Sequence, residues 1–156
     1  MSEKPTRERP PANDEVAALL RLLIASVERQ ATDAVSISRQ SIPNASVDIT
    51  EINPRRSDAC RLSWIEMGDK ELILYVGRGG CWEQSRDVGV VAEIAEIVES
   101  VLAGRVTEVR APGRSSVTVT LADGTQKSSQ VRSLGGILPI PFWRHLGRKV
   151  SYAPYR

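Results

Sequence analysis

Residues 105–131 read RVTEVRAPGRSSVTVTLADGTQKSSQV, and the turns within them decide the fold class. Val117, Val119 and Leu121 alternate with Thr118 and Thr120, the period-two pattern of a strand with one buried face. Pro112-Gly113 interrupts the run upstream: proline presets φ at the first turn position and glycine takes positive φ at the second. Asp123-Gly124 reads as a second turn, a two-residue hairpin. Segments 105–110, 115–121 and 125–131 are therefore expected to form a three-stranded antiparallel meander.

Working outward, residues 87–103, DVGVVAEIAEIVESVLA, have the period of a helix. Val91, Ile94, Val98 and Val101 mark its buried stripe, Val90, Ile97 and Leu102 widen it, and Glu93, Glu96 and Glu99 form an acidic ridge outside. Gly104 is a stop signal. A second helix is expected over 14–30, with Val16, Leu19, Leu20, Leu23 and Val27 at helical spacing and Asn13 or Asp14 as its cap. Strands are expected over 47–52, 59–67, 70–76 and 81–84, with Gly68-Asp69 as a turn. In 70–76 both faces are apolar, which points to a central strand. Residues 31–46, ATDAVSISRQSIPNAS, lack a sustained period and read as a connector with room for some extra helix. In the tail, Pro139 and Pro141 bar a central strand or helix interior, and 150–152 reads as an edge strand. Residues 1–12 carry three prolines and mixed charges without an apolar anchor, so a disordered tail is expected. The fold expected is a single α+β domain over 13–156: one twisted antiparallel sheet of about six or seven strands packed by two main helices.

A chain of 156 residues, 41% hydrophobic and 26% charged, is sized for one core. The N-terminus has no apolar h-region of the secretory kind and no run is long enough to span a bilayer. Two cysteines, Cys60 and Cys81, are too few for a disulfide scaffold. A cytoplasmic protein without membrane attachment is expected. Arginine outnumbers lysine 17 to 4, the usage expected of a GC-rich bacterial genome. Charge is divided: residues 1–104 hold 12 basic and 17 acidic groups, whereas 105–156 hold 9 basic and 2 acidic. Such asymmetry fits either a surface that steers a charged partner or two elements that face each other in the fold.

The densest chemistry lies in YVGRGGCWEQ, residues 75–84. A P-loop needs GxxxxGK[ST] opening a helix, and a dinucleotide fingerprint needs glycine where Trp82 stands. The glycines instead read as a turn that aims Trp82 at the core and leaves Cys81 and Glu83 on the other face, with Arg78 beside them. One histidine, His145, and two cysteines in neither CxxC nor HxxxH spacing make no zinc site, and no cofactor is expected. Cys81 or Cys60 with His145 is the one thiol–base dyad available, and Glu66 with Glu83 the paired carboxylates. No GxSxG elbow is present. Nucleic-acid binding finds material in Phe142, Trp143, Tyr152 and Tyr155, set among Arg105, Arg110, Arg114, Arg132, Arg144 and Arg148.

The order helix, strands, GRGGCWE, amphipathic helix ending in Ala103-Gly104, then PGRSSVTVTLADGT resembles small α+β proteins of high-GC bacteria over residues 47–155. In layout it is also similar to immunity proteins that neutralise polymorphic toxins. The resemblance implies a compact binder without catalytic residues and carries over no functional residue. The functional expectation is a non-enzymatic protein-binding module, an immunity-like inhibitor of a toxin. Glu93, Glu96 and Glu99 are the candidate contacts for a basic partner, and Arg78, Trp143, Arg144 and Tyr155 for an acidic one. Nucleic-acid binding through the C-terminal third and a cysteine-dependent enzyme are the alternatives.

Overall fold

The computed structural model describes residues 14–132 and 141–156, so the expected tail at 1–12, the alternative cap Asn13 and Pro139 lie outside the described residues. The order is α1 (Glu15–Gln30), β1 (Val35–Ile42), β2 (Val47–Pro54), β3 (Leu62–Met67), β4 (Glu71–Val76), β5 (Gly80–Ser85), α2 (Val88–Leu102), β6 (Val106–Ala111), β7 (Arg114–Thr120), β8 (Gln126–Arg132), α3 (Trp143–Leu146) and β9 (Arg148–Ser151). The fold is α+β and its sheets are antiparallel, but the strands do not join into one sheet. They form a five-stranded sheet in the order β1-β2-β3-β4-β5 and a four-stranded sheet in the order β8-β7-β6-β9.

The division has a local cause. Where β5 approaches β8, the Cys81 amide donates to Ser129 Oγ (2.9 Å) and Ser129 Oγ donates to the Cys81 carbonyl (2.6 Å). A side chain takes both backbone groups, so the ladder does not continue from one sheet to the other.

Both main helices start where capping chemistry directs. Asp14 accepts from the Ala17 amide (3.1 Å) and Asp87 from the Val90 amide (3.0 Å). Asp14 also receives both terminal nitrogens of Arg86 (3.0 and 2.7 Å), while Glu66 on β3 takes Arg86 Nε (3.2 Å) and Nη2 (3.0 Å). The Arg86 side chain is 7% exposed. One guanidinium thus ties the start of α1 to β3 and to the approach to α2.

Val16, Leu20, Ile24 and Val27 of α1 and Val91, Ile94, Ile97, Val98 and Val101 of α2 share one core cluster with Ile52, Leu62, Trp64, Leu72, Leu74 and Val76 of the first sheet and Val106, Val117 and Val119 of the second. Burying each such aliphatic side chain stabilises by about 1.5–3 kcal/mol.

Two expectations about elements change, and the tail, whose edge strand forms as β9, gains a helix. Residues 31–46 are not a helical connector: they contain β1, in register with all of β2 from Val35↔Pro54 to Ile42↔Val47. The Asp123-Gly124 turn is wider than a two-residue hairpin, because the Leu121 amide donates to the Thr125 carbonyl (2.8 Å) and encloses residues 122–124, with Gly124 at φ 88°. The tail after Pro141 forms the short helix α3 before β9 pairs with β6. The Pro112-Gly113 turn forms as expected, closing on Ala111↔Arg114 with Gly113 at φ 70°.

Candidate functional site

In the five-stranded sheet, alternate residues face the helices, so the remaining residues share the opposite face. Register places Ile49 opposite Ile65 and Ile65 opposite Ile73, an apolar row across three strands. A second row runs Ile42, Val47, Met67, and Tyr75 stands beside the first. These residues lie outside the core cluster, and Ile42, Met67 and Tyr75 are exposed. Glu51, Glu71 and Glu83, all exposed, occupy the same face around the apolar rows. The result is an apolar strip with a carboxylate rim.

At one end this face runs into a cleft of about 730 Å³, bounded by Glu51, Asn53, the 54–59 loop, Arg61, Ser63, Tyr75, Gly77 and Arg78 from the first sheet and by Arg110 and Tyr152 from the second. Its floor is organised by Glu108 of β6, which is 0% exposed. Glu108 Oε1 accepts from Ser115 Oγ (2.6 Å) and the Arg78 amide (3.1 Å). Oε2 accepts from Arg110 Nε (3.1 Å), Arg110 Nη2 (2.8 Å) and the Tyr152 hydroxyl. Burial pushes the Glu108 carboxyl up, but the donors Ser115, Tyr152 and Arg110 outweigh it and hold the group below its ordinary value. Tyr152 is pushed up by burial and by its bond to Glu108.

The glycine turn fits this floor closely. Gly77 is at φ 61°, and an added Cβ would lie 3.2 Å from the Tyr152 oxygen and 3.3 Å from Glu108 Oε2. The turn is therefore a structural device, and its strand continues with Trp82 packed against the core while Glu83 is exposed on the other face.

The predicted contacts scatter. Glu93, Glu96 and Glu99 are exposed on α2, with Glu93 bonded to Lys127 Nζ at 2.8 Å. Arg78 is exposed at the cleft. Trp143 is buried, with Arg114 and Arg144 carbons 5.9 and 5.8 Å from its ring centroid. Arg144 is exposed and donates to Gln130 (3.2 Å). Tyr155 lies in the core cluster, at 2% exposure, with its hydroxyl donating to the Cys60 carbonyl (2.6 Å). Of the four aromatics set among the arginines, Trp143 and Tyr155 are buried and Tyr152 is committed to Glu108, which leaves Phe142 exposed.

Both thiols are held toward the protonated form. Burial pushes Cys60 up to about 12, and burial followed by the Glu83 carboxylate pushes Cys81 up. Glu66 faces Arg86 in the interior and Glu83 faces outward, so they do not form a carboxylate pair. Among the described residues no group of three or more His, Cys, Asp or Glu side chains is arranged to hold a metal, and no helix is long and apolar enough to cross a membrane.

Sequence reasoning missed Glu108 as an organising residue. The signal was its phase: Glu108 lies two residues after the inward Val106 and opposite Val117, so a charge there requires buried partners. No protein family, curated protein or solved structure matches this chain.

Proposed function

We propose that this chain is a non-catalytic protein-binding module whose contact surface is the open face of the five-stranded sheet. The observation that carries the reading is the apolar row Ile49, Ile65 and Ile73, extended by Met67 and Tyr75 and left outside the core. Contiguous exposed apolar surface with a polar rim marks interaction sites. The rim is acidic, through Glu51, Glu71 and Glu83, so the fitting partner is a protein that presents apolar side chains surrounded by lysine and arginine. An immunity-like inhibitor seated on a basic toxin is the form of this role that the sequence layout suggests. The acidic ridge on α2 belongs to a different surface and is not needed for it. Raised thiol pKa values and the dispersed aromatics support this reading over cysteine catalysis and over base stacking.

The test is capture from the source cell with three proteins in parallel: the unaltered chain, a face variant carrying Met67→Arg and Glu83→Lys, and a ridge variant carrying Glu93→Gln, Glu96→Gln and Glu99→Gln. The expected result is a basic protein retained by the unaltered chain and the ridge variant and lost by the face variant, with circular dichroism unchanged in all three. Retention by the face variant and loss by the ridge variant would move the contact to α2. A salt-sensitive shift of single-stranded oligonucleotide without any protein capture would favour nucleic acid.

A further inference from the structure

We propose that the cleft between the two sheets is a binding site for an oxyanion, a phosphate or carboxylate group, gripped by Arg61, Arg78 and Arg110. The argument is one of hydrogen-bond supply. Arg110 commits Nε and Nη2 to Glu108 and Tyr152 and has no acceptor for Nη1 among the described residues. Arg61 commits Nε to Asn53 Oδ1 at 2.9 Å, and its terminal nitrogens have no acceptor among the described residues. Arg78 lines the same cleft with its backbone amide fixed on Glu108 Oε1 and its guanidinium without an acceptor among the described residues. The fourth guanidinium, Arg56, is already closed by Asp58 through two bonds of 2.9 and 2.8 Å.

Guanidinium N–H groups only donate, so a ligand that satisfies several of them must bring acceptors. Planar or tetrahedral oxyanions present them at matching spacing. The single carboxylate in the lining, Glu51, accepts from Ser38 Oγ at 3.0 Å and is outnumbered by the arginines.

Placement distinguishes these charges from ordinary surface arginines. Arg78 is carried by a turn that cannot shift freely: Gly77 sits against Glu108 and Tyr152, and a Cβ on Gly79 would meet Ser115 atoms at 2.4–2.7 Å. Arg110 is oriented by its fork on a buried carboxylate. Such preorganisation lowers the ordering cost of binding. The site adjoins the apolar face and shares Glu51 and Tyr75 with it, but its ligand is an anion and its test needs no protein partner.

Calorimetric titration of the full chain with sodium pyrophosphate and with citrate at low ionic strength reads the proposal out. Saturable one-site binding that weakens with added salt is expected for at least one probe. Arg78→Gln and Arg61→Gln should each weaken it by about tenfold, the loss of one or two charge-assisted bonds. Arg21→Gln, an exposed arginine on α1 that does not line the cleft, should leave it unchanged. Tighter pyrophosphate marks a phosphate ligand and tighter citrate a carboxylate ligand, and both support the site. Absence of saturation with both probes overturns it, as does equal weakening by Arg21→Gln, which would mean attraction to net charge alone.

Discussion

At the scale of single residues, Glu108 determines the most. Five donors converge on a carboxylate with no solvent exposure, so removing it orphans Arg110, Tyr152, Ser115 and the Arg78 amide together. Glu108→Ala is expected to cost about 3–5 kcal/mol, the range for breaking a buried pair on one side. Glu108→Gln, which preserves shape, should cost less and should also change the pH dependence. Because the folded carboxyl is held below its ordinary value of 4.5, its contribution is fully present above that value and lost as pH falls through the lower, folded one. Urea unfolding at neutral pH and below about pH 4.5 should therefore show a smaller acid loss in the glutamine variant than in the unaltered chain. Equal acid losses would mean that Glu108 does not titrate with folding. Cys60, raised to about 12 by burial, should resist a thiol reagent at neutral pH until the chain unfolds. Cys81, partly exposed, should react first.

At the scale of elements, legibility in the sequence followed how much of each element's stability is local. The helix α2 was readable because its apolar stripe repeats without interruption, and β3, β4 and β5 because their patterns alternate between close turns. The strand β1 was not. Only Val35 and Ile37 of its inward positions are apolar, Arg39 and Ser41 take the rest, and it is an edge strand whose support is its eight-residue register with β2. That support comes from a neighbouring strand and leaves little trace in β1 itself. Arg86 was overlooked for a related reason. It lies just before α2 in a polar stretch, yet it joins Asp14, 72 residues away, to Glu66, 20 residues away. Arg86→Ala leaves two carboxylates facing each other, one 22% and the other 11% exposed. A loss of about 3 kcal/mol or more is expected in chemical denaturation. Asp87→Ala, which removes the cap of α2 and the exposed acceptor of the Ser85 hydroxyl, should cost about 1 kcal/mol.

At the scale of the whole molecule, the expected single sheet became two because the sequence can show where strands are but not where a ladder stops. The candidate site depends on that division. The cleft exists because the β4–β5 turn of one sheet lies against β6 and β7 of the other, so Arg61 and Arg78 share a cavity with Arg110 and Tyr152 from the far end of the chain. Gly79 is a tight point of this seam. Its φ is not in the left-handed region, so an alanine there is excluded by contact and not by conformation: the added Cβ would lie 2.4 Å from Ser115 Oγ, 2.6 Å from Ser115 Cβ and 2.7 Å from the Ser115 carbonyl carbon. Gly68 is the converse, at φ 62° with open space around it. Gly79→Ala is expected to cost about 1–3 kcal/mol by overpacking, lowering Tm by roughly 2–4 °C per kcal/mol in a chain of this size. It should also weaken oxyanion binding, since the turn that carries Arg78 must move. Gly68→Ala should cost about 1–2 kcal/mol through backbone strain and leave that binding intact. Ser115→Gly, added to Gly79→Ala, removes the two side-chain contacts but leaves the backbone carbon and takes a donor from Glu108 Oε1, so rescue should be partial. Full rescue would show that the seam is looser than these distances imply, and equal effects of the two alanines on anion binding would show that the cleft does not depend on how the sheets meet.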